Sequence, residues 1–421
     1  MEDQNWDRLL RLLPANWQHQ ALDTGALQRL RGFRSLDALL RTLLLHVACG
    51  YSLRETVVQA RVAGLAQISD VALLHRLRQA EDWFQSLCQT LLAESGVSSC
   101  PETNGRRIRI VDGTVVREPG PTGSQWRLLY SLEWPAGRCD FLDLTPATGV
   151  GTGEWLGRVP VGTGDLLLAD AGYCSVAGIE YVTQQEAHVL IRVNPNHFPL
   201  IDAAGERLSL LSFLELVTVA GQICDWEVRL RGRGEHSLAG RLCALRKSEE
   251  AIRQARQRLK EKAWRKQLHT RAETWRYAEY VIVFSSWPQP TGAQVLTWYR
   301  VRWQVELAIK RLKSLLGFGH LPKHDAYSAR AWLYGKLLLA LLAEKLIGRG
   351  QADSPQQMWE PERAHSAWRE FGFAVHGLVQ AITPLVSLDD MHAQWNEWAR
   401  RLAEPPRQRQ PQVAVHQQFI A

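Results

Sequence analysis

Near residue 100 the hydrophobic residues change their spacing, and that change limits what the chain can fold into. Up to there, leucines recur every three or four positions, in LQRLRGFRSLDALLRTLLLHVA and through SLRETVVQARVAGLAQISDVALLHRLRQAEDWF. From residue 106 the pattern alternates, as in RRIRIVDGTVV. A repeat near 3.6 gathers apolar side chains on one face of a helix, whereas alternation gathers them on one face of a sheet. The first hundred residues are therefore expected to be helical, and the following ones to build a sheet. Within the helical part, two short helices at about 53–61 and 70–82 flank a turn at Gly64, with Ser69 or Asp70 as N-cap of the second. That outline suits a helix-turn-helix and equally a small helical bundle.

The sheet region continues through WRLLYSLEW (126–134), RCDFLDLTPA (138–147), DLLLADAGY (165–173) and HVLIRVN (188–194), with a helix expected at AGIEYVTQQEA. Three early strands followed by strands alternating with helices indicate an α/β fold, a mixed sheet covered by helices. Residues 196–289 break that rhythm: LSLLSFLELV, CDWEVRLRGRG, SLAGRLCALRK and EYVIVFSSWP read as strands of a β-rich insertion. The expected organisation is thus 1–100 helical and DNA-binding, 101–195 first part of the core, 196–289 insertion, 290–345 second part of the core, and 346–421 helical. In the last part, helices are expected at 328–348 and 361–402, ahead of a polar tail, EPPRQRQPQ.

Charge singles out one stretch. Between residues 246 and 276 there are 11 Lys and Arg against four Glu, an excess that equals the net charge of the whole chain, +7. Such a run is either a solvated helix or a surface that follows a phosphate backbone, and the pI of about 9.1 favours a polyanionic partner.

The stretch YRVRWQVELAIKRLKSLLG (299–317) reads as one helix with two stripes. Val301, Val305, Ile309, Leu312 and Leu316 would dock it on a core, while Tyr299, Arg302, Glu306, Lys310 and Lys313 form a neighbouring polar stripe. Two other acids stand out. Asp112 lies mid-strand among valines, and Asp170 ends the apolar run LLLA; an acid on an apolar strand is costly unless it is paired or holds a cation. With Glu306 they would make a site for two Mg²⁺ ions, able to activate water or a 3′-hydroxyl for phosphodiester chemistry. Glu118, Asp140, Asp143 and Asp165 are rival acids, with Asp143 the first substitute for Asp112.

These residues resemble the DDE transposases of insertion-sequence family four. Tyr299, Arg302, Glu306 and Lys313 match the family's signature of tyrosine, arginine, glutamate and lysine at every spacing, and VDGT (111–114) and ADAGY (169–173) are similar to its two aspartate motifs. The resemblance spans residues 100–320 and implies a ribonuclease-H-like core with Asp112, Asp170 and Glu306 as catalytic metal ligands for Mg²⁺, with Mn²⁺ as substitute. It implies that Tyr299, Arg302 and Lys313, with Lys310 beside them on the stripe, hold DNA backbone next to a base flipped from the transposon end. An aromatic on the strand before the signature helix would stack on that base: Tyr280, with Trp275, Tyr277 and Trp287 as rivals. The implied partners are double-stranded DNA, as transposon ends and target, and a second copy of the chain in a paired-end homodimer. Cleavage would pass through hairpin ends.

Other features narrow the alternatives. The seven cysteines are scattered without a C-x-x-C pair, which fits a reducing cytoplasm and argues against structural zinc. No signal peptide is recognised, and LLLALLAEKLI is too short to span a bilayer. The chain is therefore expected to be cytoplasmic, and the resemblance implies a bacterial protein, on the nucleoid when bound to DNA. GTGEWLG (151–157) reads as a flexible connection, and His320 and His324 as surface residues. Two other functions remain open: a non-catalytic DNA-binding regulator that keeps the fold, and a general nuclease of the same fold.

Overall fold

The computed structural model describes residues 3–96, 105–117, 125–232, 236–267, 269–323, 325–353, 366–386 and 388–393. Six helices come first: α1 (Gln4–Leu10), α2 (Trp17–Asp23), α3 (Leu36–Cys49), α4 (Leu53–Val62), α5 (Asp70–Gln79) and α6 (Glu81–Glu94). The middle of the chain forms β1 (Ile108–Arg117), β2 (Gln125–Trp134), β3 (Arg138–Pro146), β4 (Leu166–Ala169), α7 (Val176–Gln184), β5 (His188–Arg192), β6 (Leu200–Ile201), α8 (Leu210–Leu214), β7 (Ile223–Arg231) and β8 (Ser237–Arg246). Then follow α9 (Glu249–Lys266), α10 (Ala272–Tyr277), β9 (Tyr280–Ser285), α11 (Gly292–Tyr299), α12 (Trp303–Leu315), α13 (Ala326–Asp353), α14 (Ala367–Ile382) and α15 (Leu388–Ala393). The described residues fall into two compact units, one drawn from 94–311 and the other from 1–93 and 312–421.

The unit from 94–311 is organised by a nine-stranded sheet in the order β3-β2-β1-β4-β5-β9-β8-β7-β6. Pairs β3/β2 and β2/β1 are antiparallel, β1/β4 and β4/β5 are parallel, and the remaining pairs are antiparallel. This is the mixed sheet that the strand pattern led one to expect, and the resemblance implies that it is a ribonuclease-H-like core. Its central strand β4 is buried at all four positions, which explains its uninterrupted Leu-Leu-Leu-Ala.

Two expectations for this region change. The insertion does not make a separate sheet: β9 pairs with β5 on one side and β8 on the other, so β8, β7 and β6 extend the core sheet. The seam is continuous because Val283 and Phe284 of β9 are buried with Leu190 and Ile191 of β5 and Leu242 and Cys243 of β8. The second change is LSLLSFLELV, which is the short helix α8 and not a strand. Its Leu210 and Leu214, four residues apart, are the buried pair. A short, nearly continuous apolar run does not reveal its period.

The other unit is helical. Ser69 caps α5, its Oγ accepting from the Ala72 amide at 3.1 Å, and Gly64 takes a φ of +67° in the turn after α4. A residue with a side chain would be strained there. Helix α13 packs on α3, α5 and α14, burying Leu333, Leu337, Leu338, Leu339 and Leu342. Arg41 of α3 donates to the carbonyls of Ile382 at 2.9 Å and Ala381 at 3.1 Å, satisfying the C-terminal end of α14. The N-terminal helices and the helices after residue 312 are therefore one body, not two regions at opposite ends of the domain order. Of the helix expected over 361–402, α14 and α15 are described; residues 361–365 and 394–402 and the EPPRQRQPQ tail lie outside the described residues.

A polar cluster lies inside this helical body. His46 Nδ1 donates to the Tyr51 carbonyl at 2.7 Å, and its Nε2 faces Lys323 Nζ at 2.6 Å. Burial, with Lys323 next in weight, pushes the His46 pKa down to about 3. Between pH 6.5 and 3 the unfolded chain then takes up a proton that the folded chain refuses. The contribution is fully present above the unfolded value and is lost as pH falls through that window, at about 1.4 kcal/mol per pH unit. Chemical denaturation from pH 7.5 to 4.5 is expected to show this slope. His46→Gln is expected to flatten it, and an equal slope in the variant would place the proton uptake elsewhere.

Candidate active site

Asp112 and Asp170 meet because β1 and β4 run parallel. Their register pairs Val111 with Ala169, so the next residue on each strand stands at the same level, about one strand spacing of ~4.8 Å apart. Asp112 Oδ1 accepts from the Gly113 amide at 2.7 Å, and Asp170 Oδ1 from the Gly172 amide at 2.9 Å. Glu306 comes from α12. Its helix is held down by Val305, Ile309 and Leu312 (all buried), as expected of the apolar stripe. The segment is not one uninterrupted helix, however. α11 ends at Tyr299, a single 3-10 turn covers Arg300–Arg302, and α12 then runs to Leu315. Gly317, at φ +65°, ends it.

Arg302 links the two sides of the site. It forms an ion pair with Glu306 and approaches Asp112 Oδ2 at 3.9 Å. Burial raises the Asp112 pKa to about 6; the Gly113 amide and Arg302 oppose the rise, while Asp170 and Glu306 add to it. Carboxylates crowded this way favour either a proton or a cation. Among the described residues no three His, Cys, Asp or Glu stand close enough to grip one ion as arranged, with the Arg302 guanidinium lying between Asp112 and Glu306.

Two residues expected to contact DNA play other parts. Tyr299 is buried, and its hydroxyl donates to the Ala169 carbonyl at 3.1 Å. It therefore fixes the end of β4 just before Asp170, where a phosphate contact was expected. Tyr299→Phe should lower cleavage about tenfold, as one hydrogen bond of about 1–1.5 kcal/mol implies, without changing DNA affinity. A gel shift beside a cleavage time course would separate the two, and a matched loss of both would restore the phosphate role. Tyr280 is the second. It is 3% exposed and donates to the Val217 carbonyl at 3.3 Å, so it is a core residue of the sheet and no stacking platform. Among its rivals, Trp287 is buried in a stack with Trp298, and Trp275 and Tyr277 are half-buried. Among the described residues the tryptophans most open to solvent are Trp264 of α9, 83% exposed, and Trp303, 55% exposed and directly after Arg302, ahead of Trp155 and Trp368. Lys310 is exposed one turn beyond Glu306, and Lys313 lies two turns beyond it on the same helix.

The rival acids are accounted for. Asp140 and Asp165 are buried with Arg107 and Arg109. Asp143 lies on β3, which is separated from β1 by β2, and is bound by Arg158 at 2.6 Å. Glu118 and His324 lie outside the described residues, and His320 is exposed.

The GTGEWLG segment is not a loose connection. Leu156 is buried in the core, and Arg158 donates to the Thr152 and Gly153 carbonyls at 3.0 and 3.1 Å. That anchoring sets Glu154 beside Asp170, a placement that the sequence reading missed.

Comparisons with known proteins identify the family. Residues 143–342 match the transposase DDE domain family. The chain is 34% identical over 353 residues to the transposase InsL of insertion sequence element IS186A from Escherichia coli K12, covering 82% of this chain and 94% of that one. The chain belongs to the DDE transposases of insertion sequences. The transposase of element IS421, also from E. coli, is 34% identical to this transposase over 354 residues, covering 82% of this chain and 94% of that one. Among solved structures, the piggyBac transposase synaptic complex with hairpin DNA aligns at a TM-score of 0.48 and 9% identity, covering 96% of this chain and 85% of that one. No helix among the described residues is long and apolar enough to cross a membrane.

Proposed function

We propose that this transposase binds the terminal inverted repeats of its element and cleaves and rejoins DNA at the site of Asp112, Asp170 and Glu306. The observation that carries the reading is the register of β1 and β4, which puts two acids side by side while Arg302 ties the third to them. Three hard carboxylates fit divalent cations of the Mg²⁺ type, two ions in this reading, with Mn²⁺ able to substitute. Such ions supply an activated hydroxide or 3′-hydroxyl and stabilise the leaving oxygen. Arg302 neutralises Asp112 and Glu306 in the arrangement described and is the group suited to take a phosphate bidentately once those acids hold cations. Lys310 and Lys313 supply further phosphate contacts. In a hairpin step, Trp303 takes the stacking role first assigned to Tyr280, because it is the exposed aromatic beside Arg302. Pairing of two ends implies two copies of the chain, with cleavage confined to that complex.

The test uses end-labelled duplexes with Mg²⁺. One set carries the DNA that flanks the coding region and the other an unrelated sequence. Cleavage at the element ends alone, with hairpin products on a denaturing gel, supports the reading. Binding of the ends without cleavage would identify a regulator, and cleavage indifferent to sequence a general nuclease.

A further inference from the structure

We propose that Glu154 is a fourth carboxylate of the cation site, seated beside Asp170, with the buried Tyr173 hydroxyl turned towards the same space. The inference rests on the reading of Asp112, Asp170 and Glu306 as cation ligands and adds a residue to it.

The glycines beside the two aspartates show where Glu154 lies. A Cβ on Gly172 would overlap the Glu154 carboxylate and touch Asp170 Oδ1 at 3.1 Å. A Cβ on Gly113, directly after Asp112, would meet the Tyr173 hydroxyl at 3.1 Å, Glu154 Cγ at 3.7 Å and Glu154 Oε1 at 3.8 Å. Absence of a side chain at both positions therefore opens the space in which Glu154 reaches the aspartates. A second observation points to a ligand there. Tyr173 is fully buried and its hydroxyl has no hydrogen-bond partner among the described residues, although it is directed at this group of acids. A buried hydroxyl without a partner costs about 1–3 kcal/mol, and a cation with its bound waters would give it one.

Arg127 completes the arrangement. Its Nη1 meets Glu154 Oε1 at 3.0 Å, so Glu154 is balanced by a guanidinium, as Glu306 is by Arg302. Each acid is held near the aspartates by an arginine, which limits repulsion until cations take its place. Glu154 remains partly exposed, with 37% of its side chain accessible, so it is free to turn towards an incoming ion.

Cation binding is read without catalysis, by titrating Ca²⁺ or Mn²⁺ against the full chain and following thermal stabilisation and heat of binding. Glu154→Gln keeps the volume and is expected to weaken the apparent affinity about tenfold, the lower end of what loss of an outer-shell partner costs. Its melting temperature without cation should stay near that of the parent. Gly172→Ala, which retains Glu154 but displaces its carboxylate, is expected to reproduce the loss. Asp112→Asn serves as the reference. If Asp112→Asn abolishes cation stabilisation while Glu154→Gln and Gly172→Ala leave it unchanged, Glu154 is not part of the site. If Asp112→Asn also has no effect, the three-acid reading itself fails.

Discussion

Asp112→Asn, Asp170→Asn and Glu306→Gln are each expected to lower strand cleavage by about 10³-fold or more, with binding of the element ends changed less than threefold. The size follows from losing several kcal/mol of charge stabilisation that a held cation gives the transition state. The asymmetry follows from where affinity arises, since contacts from Lys and Arg to phosphates supply most of it. Amide replacements keep the shape of the β1–β4 junction and leave Arg302 an oxygen to bond. Single-turnover cleavage beside a filter-binding titration checks both halves. A variant that cleaves at near the parental rate removes that residue from the site. A variant that no longer binds would show that its carboxylate holds the fold, as Asp140 does with Arg107 and Arg109.

Replacing Lys260, Lys262, Arg265 and Lys266 of α9 with glutamine is expected to weaken DNA binding by roughly 10²–10³-fold at physiological salt. The slope of log affinity against log salt should fall by about 0.9 for each lost phosphate contact. All four are exposed on a helix whose only fully buried side chain is Ile252, so their removal has little to disturb in the fold. Arg256 differs, because it is paired with the buried Glu279 at 2.8 Å, and it is left in place. Trp264 lies among these cations with no aromatic or cationic partner on its ring among the described residues and 83% of its surface exposed, as a platform for an unstacked base would. Salt titrations of the parent and the fourfold variant decide the matter. An unchanged slope would make α9 a solvated helix and move the DNA surface elsewhere.

Much of the candidate site was legible because its logic is local. Asp112 interrupts an alternating strand, Asp170 ends an apolar run, and Glu306 sits on a helix whose buried face is written at three- and four-residue spacing. Tyr280 and Tyr299 were misplaced for a common reason. A tyrosine has an apolar ring and a polar tip, so its residue type is compatible with a DNA surface and with a core where the hydroxyl finds a carbonyl. Val217 and Ala169 supply those carbonyls from segments distant in sequence. Glu154 escaped notice because an acid between glycines looks like any polar loop.

By itself the sequence determined the division into helical and sheet regions and most element positions, and it offered Asp112, Asp170, Glu306 and Arg302 as candidates. These depend on periodicity, capping and residue chemistry within a few positions of one another. Tertiary structure alone decided that β8, β7 and β6 continue the core sheet, because edge pairing is set by which strands meet and not by any one strand's pattern. It also decided that helices from the two ends of the chain share one body, where Arg41 reaches carbonyls more than three hundred residues away. The seat of Glu154 was settled the same way. It exists where two glycines on neighbouring segments leave a gap, and a gap is a property of packed atoms that no stretch of sequence contains.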